Sequence, residues 1–351
     1  MPKPAEKVLI LSKIYFMKNK ISLISACLIS AVLLFVTVEI SAQEISKKGY
    51  ACINEETARD IIATLADDSF EGREAGLRGG EMAAEYIVSK LKKWGVKPFD
   101  ASGYYQEFGS AKNQNNWITE SDMPLDGLIE SGCETRTMKN ILACIPGKGK
   151  GYVVVGAHYD HLGIDTTLVG DQCYNGADDN ASGVSAVLQL ARAIKKSKVQ
   201  PERTIIFALW DGEEKGFLGS RFFVKRTPFL SEISAYMNFD MVGRAPEGNC
   251  CNLSYIYSSA NPAFGEWLQV DVEDYKLNLM PDYKASKNLL GGSDNSPFAR
   301  KGVPIVWYHT EGHPDYHRPS DTADKVNYAT LLEITRAAYL CLLRLANESS
   351  Y

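Results

Sequence analysis

Asn175-Gly176-Ala177-Asp178-Asp179-Asn180-Ala181-Ser182-Gly183 sets two adjacent carboxylates on a glycine-flanked turn. Directly after it, Val184 to Lys195 repeats apolar residues at helical spacing. Upstream, Tyr152 to Ala157 is a short apolar run of the kind that forms a buried strand. The quoted stretch is therefore the turn of a strand-to-helix unit. The same texture recurs on both sides of it: Ile141 to Ile145, Thr204 to Trp210, Ala235 to Phe239, Leu253 to Tyr257 and Val303 to Tyr308 read as strands. Leu218 to Lys225, Pro262 to Tyr275 and Tyr328 to Ala346 read as the helices between or after them. This alternation predicts an α/β fold, a three-layer α/β/α sandwich around a mostly parallel mixed sheet.

Before Asn140 the pattern is looser. Glu55 to Leu65 and Glu81 to Trp94 have helical periodicity, the second stopped by Gly95, with Ser69 to Arg73 a loop between them. Tyr104 to Met138 is polar and aperiodic, which predicts an irregular insertion or flap, too short for a core of its own. Residues 43–351 are thus expected to form a single domain.

Length and composition exclude several classes. A 351-residue chain that is 45% hydrophobic can bury a full core. Its net charge is −5. Residues 1–42 carry five lysines and two glutamates, so the remainder stands three charges lower, at −8, which argues against nucleic-acid binding. Met17-Lys18-Asn19-Lys20 followed by the apolar run Ile21 to Val38 and by Ile40-Ser41-Ala42-Gln43 is a secretory signal pattern. Residues 1–42 are therefore expected to direct export, to the periplasm or the medium. The run is also about long enough to remain as a membrane anchor, and Ile24-Ser25-Ala26-Cys27 resembles a lipoprotein box; only in those cases would the protein meet a membrane. The eight cysteines lack paired C-x-x-C knuckles, which disfavours thiolate-held zinc, and in an oxidising compartment some disulfides are expected.

Chemistry in such sheets gathers at the carboxyl ends of strands. His158 follows one predicted strand, Glu213 and Glu214 another, Asp240 a third, and the loop holding His317 a fourth. All five histidines fall in two segments, His158 with His161 and His309 with His313 and His317. For His158 and His317 the expectation is a metal, for the other three a structural role. His158 and Asp160 form an H-x-D pair, the arrangement in which a carboxylate fixes the tautomer of a ligating imidazole. Glu213 and Glu214 would repel each other unless cations were near.

Taken together, Phe70-Glu71-Gly72-Arg73, Gly156 to Gly163, Gly176 to Gly183, Gly212-Glu213-Glu214-Lys215-Gly216, Asn238-Phe239-Asp240-Met241 and Tyr316 to Thr322 resemble the co-catalytic zinc exopeptidases of metallopeptidase family twenty-eight, which includes secreted bacterial leucyl aminopeptidases. The resemblance runs over roughly Ile61 to Ala346. It implies two zinc ions, one held by His158 and Asp240, the other by Glu214 and His317, with Asp179 bridging and Asp178 the alternative. It further implies Glu213 as general base, Asp160 behind His158, and Tyr316 as an oxyanion donor or a packed aromatic. Ser293-Asp294-Asn295 departs from relatives that carry histidine in the last position. The implied activity is hydrolysis of the N-terminal peptide bond of peptide substrates. Glutaminyl cyclase or carboxypeptidase activity on the same fold, or a noncatalytic binding ectodomain, are the other readings.

Overall fold

The computed structural model describes residues 47–244 and 251–351. The expected signal segment, with Cys27, lies outside the described residues, as does Cys250. In chain order the elements are α1 (Glu55–Leu65), α2 (Arg78–Trp94), β1 (Lys97–Pro98), β2 (Tyr105–Asn113), β3 (Asn116–Thr119), α3 (Asp126–Glu130), β4 (Thr135–Ile145), β5 (Tyr152–His158) and α4 (Gly183–Ser197). After these come β6 (Thr204–Trp210), α5 (Leu218–Arg226), β7 (Ile233–Phe239), β8 (Asn252–Ser258), α6 (Ala263–Asp274), β9 (Met280–Ser286), α7 (Asn295–Ala299), β10 (Ile305–His309) and α8 (Tyr328–Asn347).

Among the described residues one sheet runs in the order β3-β2-β4-β6-β5-β7-β10-β8-β9, with β1 paired to β4. The mixed α/β architecture is borne out, with a particular division of labour. Parallel pairing is confined to β6-β5-β7-β10 and to β8-β9, and the pairs β2-β3, β2-β4, β4-β6 and β8-β10 are antiparallel. In β5, Val153 and Val155 pack into one hydrophobic layer and Val154 into the other, all three fully buried. Each such side chain contributes about 1.5–3 kcal/mol on burial. That two-sided burial is why β5 reads as an unbroken apolar run. The layer on the first face holds α1, α2, α4, α6 and α8; the layer on the second holds α5 and α7.

Local signals set several boundaries. Asn54 caps α1 by accepting the Thr57 N–H at 2.9 Å, and α2 ends at Gly95, whose φ of 71° closes the helix. Helix α4 is buried along nearly its whole length and packs on β5 and against α1, α2 and α8.

The stretch Tyr104 to Met138 is not the irregular flap its composition predicts. It supplies β2, β3, α3 and the start of β4, and extends the sheet by antiparallel pairing. Its strands carry little apolar periodicity because they flank the core rather than cross it. The hairpin is also tied down: the Trp117 ring lies 5.0 Å from the Arg136 guanidinium and 5.5 Å from Lys215 Nζ, and both cations bond Glu74. Strand β9, polar and mostly exposed at the sheet edge, is likewise absent from the sequence pattern. Cys133, Cys144, Cys173 and Cys341 carry free thiols, so these four do not form the disulfides expected. Among the described residues no helix is long and apolar enough to cross a membrane.

One buried cation organises the loops at the carboxyl end of β5. Arg73 is fully buried, among the described residues it has no salt-bridged carboxylate, and it donates to four backbone carbonyls: Leu65, Tyr159, Asn175 and Gly176. Burial pulls its pKa down to about 10, against the pull of Asp179, Asp321 and Asp160. Each carbonyl left dry costs about 1–3 kcal/mol, so Arg73→Met is expected to destabilise the chain by roughly 3 kcal/mol or more. Calorimetry should record a Tm lower by roughly 6–12 °C. Arg73→Lys, with one ammonium in place of a planar fork, should recover only part of this.

Candidate metal centre

The turn from Gly176 to Gly183 brings the two adjacent aspartates to opposite sides. Gly176 has φ 56°, and a Cβ there would lie 2.1 Å from the Asp179 carbonyl oxygen and 2.5 Å from the His161 ring, so only glycine fits. Asp321 accepts the N–H of Asp178 and of Asp179, each at 3.0 Å, and holds the turn from the far side. The Asp179-Asn180 peptide bond is cis.

This fixes which aspartate faces the crevice. Asp178 turns away, accepting the Gly243 N–H at 2.6 Å and lying 3.2 Å from His313 Nε2. Asp179 faces two imidazoles, one from each of its oxygens. Its Oδ1 is 3.3 Å from His158 Nε2, which is also 3.6 Å from Asp240 Oδ1. Its Oδ2 is 3.1 Å from His317 Nε2, which is also 3.3 Å from Glu214 Oε2. The structure thus brings His158, Asp179, Glu214, Asp240 and His317 into one cavity of about 320 Å³, with Glu213 and Tyr316 on its walls. A larger hollow of about 670 Å³ beside Ser286 and Leu290 holds no such cluster.

The spacing fits metal ions. Two ligands at about 2.0–2.1 Å from a tetrahedral ion stand about 3.3 Å apart, and three of the four distances above fall within 0.2 Å of that, with Asp240 slightly wider. The protonation pattern agrees. Burial disfavours charge on His158, yet Glu213, Asp179 and Asp240 outweigh it and hold its pKa well above the ordinary value. His317 is treated the same way, with Asp179 and Glu214 raising it to about 10. Burial would raise Asp179, but the three surrounding histidines drive it well below the usual carboxylate range. The cavity demands positive charge, and without a metal the imidazoles must provide it as protons.

Asp160 does something other than the sequence predicts. The acceptor for His158 Nδ1 is the Asp160 backbone carbonyl at 3.1 Å, whereas the Asp160 carboxylate stands 3.7 Å off. That carboxylate, still within ion-pair distance of His158, also accepts the N–H groups of Glu213 and Glu214 at 3.0 and 3.3 Å, and so anchors the acidic turn. A side chain and its own carbonyl are indistinguishable as partners in an H-x-D pattern. His161, expected to be structural, lies within the cluster: its Nδ1 bonds Glu214 Oε1 at 2.8 Å and stands 3.8 Å from Asp179 Oδ2. His309 lines the cavity while its Nδ1 bonds the Asp240 carbonyl at 2.6 Å, and His313 sits with Asp178.

Burial lifts the Glu213 carboxyl well above the ordinary range, with His158 opposing and Asp240, Asp294 and Glu214 adding to the rise. Glu214 is lowered, because bonds from His161 and His317 outweigh burial and the nearby Asp179. The two adjacent acids are therefore shifted in opposite directions. The Tyr316 ring stacks on His317 with centroids 3.9 Å apart, and burial and four nearby carboxylates raise its pKa, so its hydroxyl keeps its proton. Met241, Trp307 and Gly292 complete the walls; no motif marked them in the sequence. Asp294 also lies close: burial raises it to about 7, and it accepts a 2.5 Å bond from Ser220.

Known proteins resemble this chain in sequence and in fold. A probable leucine aminopeptidase of Arthroderma otae is 30% identical over 203 residues, 55% of this chain and 53% of that one. The chain spans about half the length of the first curated relatives it matches. A zinc aminopeptidase from Bacillus subtilis superposes with a TM-score of 0.62 at 17% identity, covering 85% of this chain and 97% of the other. A glutaminyl cyclase from Porphyromonas gingivalis gives 0.61 at 18%, covering 82% and 97%, so the fold serves both. The sequence pattern of peptidase family M28 matches residues 140–341, which takes in His158, Asp179, Glu213, Glu214, Asp240 and His317. On that match, the chain belongs to peptidase family M28.

Proposed function

We propose that this chain is a zinc-dependent aminopeptidase, acting on the N-terminal peptide bond of peptides exported to, or met in, an extracytoplasmic compartment. The observation that carries this reading is the division of five donors into two groups that share Asp179, at metal-ligand spacing. His158 and Asp240 would hold one zinc ion, Glu214 and His317 the other, and Asp179 would bridge them. Zinc bound there supplies Lewis acidity, polarising a carbonyl and making water a better proton donor. Glu213 takes the proton of the attacking water on its carboxylate and returns it to the departing amine, a role suited to a carboxyl raised by burial. Asp160 holds Glu213 in place through its backbone N–H. Tyr316, kept protonated, donates to the oxyanion of the tetrahedral intermediate. The basic and apolar segments at Met17 to Val38 support export.

The test is a three-way assay of the purified chain with zinc. Aminoacyl amides should be hydrolysed and N-blocked peptides spared. With N-terminal glutamine peptides, release of pyroglutamate without hydrolysis would replace the aminopeptidase reading by the cyclase one.

A further inference from the structure

A second feature lies on the other face of the sheet. Between α5 and the turn after α7, a hollow of about 290 Å³ is lined by Arg221, Lys225, Arg300 and Lys301, with Ser296 beside them. Four cations facing one small hollow repel one another, and the chain as a whole is acidic, so this is no sample of a generally basic surface. One acid answers them. Asp122 pairs with Arg221 at 3.0 Å and with Lys225 at 2.5 Å. Arg300 makes only a long 3.5 Å bond to Ser296 Oγ, and among the described residues neither it nor Lys301 has a carboxylate partner. The buried Nε–H of Arg221 has no acceptor. Among the described residues the hollow keeps a net excess of three positive charges, four cations against Asp122.

We propose that this hollow binds a multiply charged oxyanion of the phosphate or sulfate class. The Arg300 fork on one wall suits tetrahedral oxygens, which it can engage two at a time, while Arg221, already holding Asp122 and the Gly216 carbonyl, adds its charge from the other. A hollow of about 290 Å³ admits such an anion with a small attached group. Ser296 adds a donor: its oxygen accepts the Gly291 N–H at 3.0 Å, which leaves its own proton for a ligand.

Both walls reach the metal centre. Arg221 donates to the carbonyl of Gly216 at 3.3 Å, in the turn that follows Glu213 and Glu214. Ser296 holds Gly291, whose neighbour Gly292 lines the cavity of the metal centre. An anion spanning Arg221 and Arg300 fixes these two rim segments relative to each other. Binding itself does not depend on which reaction the metal centre performs.

The experiment is a calorimetric titration of sulfate into the full chain in zinc-containing buffer, against sodium chloride at matched ionic strength. Saturable binding is expected, weakened about tenfold or more in the double variant R300Q/K301Q. Asp122→Asn, which frees Arg221 and Lys225, should tighten it, an effect that loss of folding cannot mimic. Lys148→Gln, in a surface pair with Glu202 elsewhere, should leave it unchanged. Absence of saturable sulfate binding to the unaltered chain overturns the proposal. So does unweakened binding in R300Q/K301Q, since sulfate at the zinc ions would persist there, and so does unchanged or weaker binding in Asp122→Asn.

Discussion

Glu213→Gln will reduce kcat on an aminoacyl amide by about 10²–10⁴-fold, the usual worth of a positioned general base, while leaving zinc content as it was. The substitution keeps the shape and removes the proton acceptor. Glu213 belongs to neither group of converging donors, whose members are His158, Asp179 and Asp240 on one side and Asp179, Glu214 and His317 on the other. Its backbone N–H will still bond Asp160, so the acidic turn stays in place. Kinetics and metal analysis on the same sample decide the matter: a variant that loses zinc along with turnover would make Glu213 a ligand rather than a base.

Asp179→Ala will have the larger effect on metal. One carboxylate faces both imidazoles, so its removal opens both sites at once, and zinc affinity should fall by more than the roughly 10–100-fold that follows loss of a supporting partner. Added zinc at a thousand times its dissociation constant stabilises a binding fold by about 4 kcal/mol. The unaltered chain should therefore melt higher with zinc and lower with a chelator, and Asp179→Ala should be nearly indifferent to both. Uptake will also release protons. His158 and His317 are raised above their ordinary values, His317 to about 10, so in the metal-free chain they are protonated at neutral pH and zinc must displace those protons. Affinity accordingly weakens as the pH is lowered. A titration that showed no proton release would contradict the protonation pattern.

What could be read from the residues alone follows from where they sit. The central strands were legible because Val153 to Val155 and Ile205 to Trp210 are buried on both faces and must be apolar at every position. The outer strands were not, since Tyr105 to Asn113 and Met280 to Ser286 meet solvent and resemble loops in composition. The gathering of His158, Glu214, Asp240 and His317 was legible because each follows a strand whose carboxyl end meets the same edge. The register at Asp178 and Asp179 was open in the residues and closed by the fold, through Gly243 and His313 on one side and His158 and His317 on the other. Arg73 stood in a quoted motif without its task showing. A guanidinium buried among carbonyls, with no acid salt-bridged to it, defies the rule by which buried charge is inferred. The basic hollow escaped because its cations come from two segments far apart in the chain.

The four carbonyls gripped by Arg73 come from the end of α1 and from loops up to 103 positions beyond Arg73 itself. They cannot be gathered until the amino-terminal helices have docked on strands made much later, and closing so long a span is slow. The aspartate turn therefore shares its support with the amino-terminal helices, and losing those helices would unsettle it although they lie far from it in the chain.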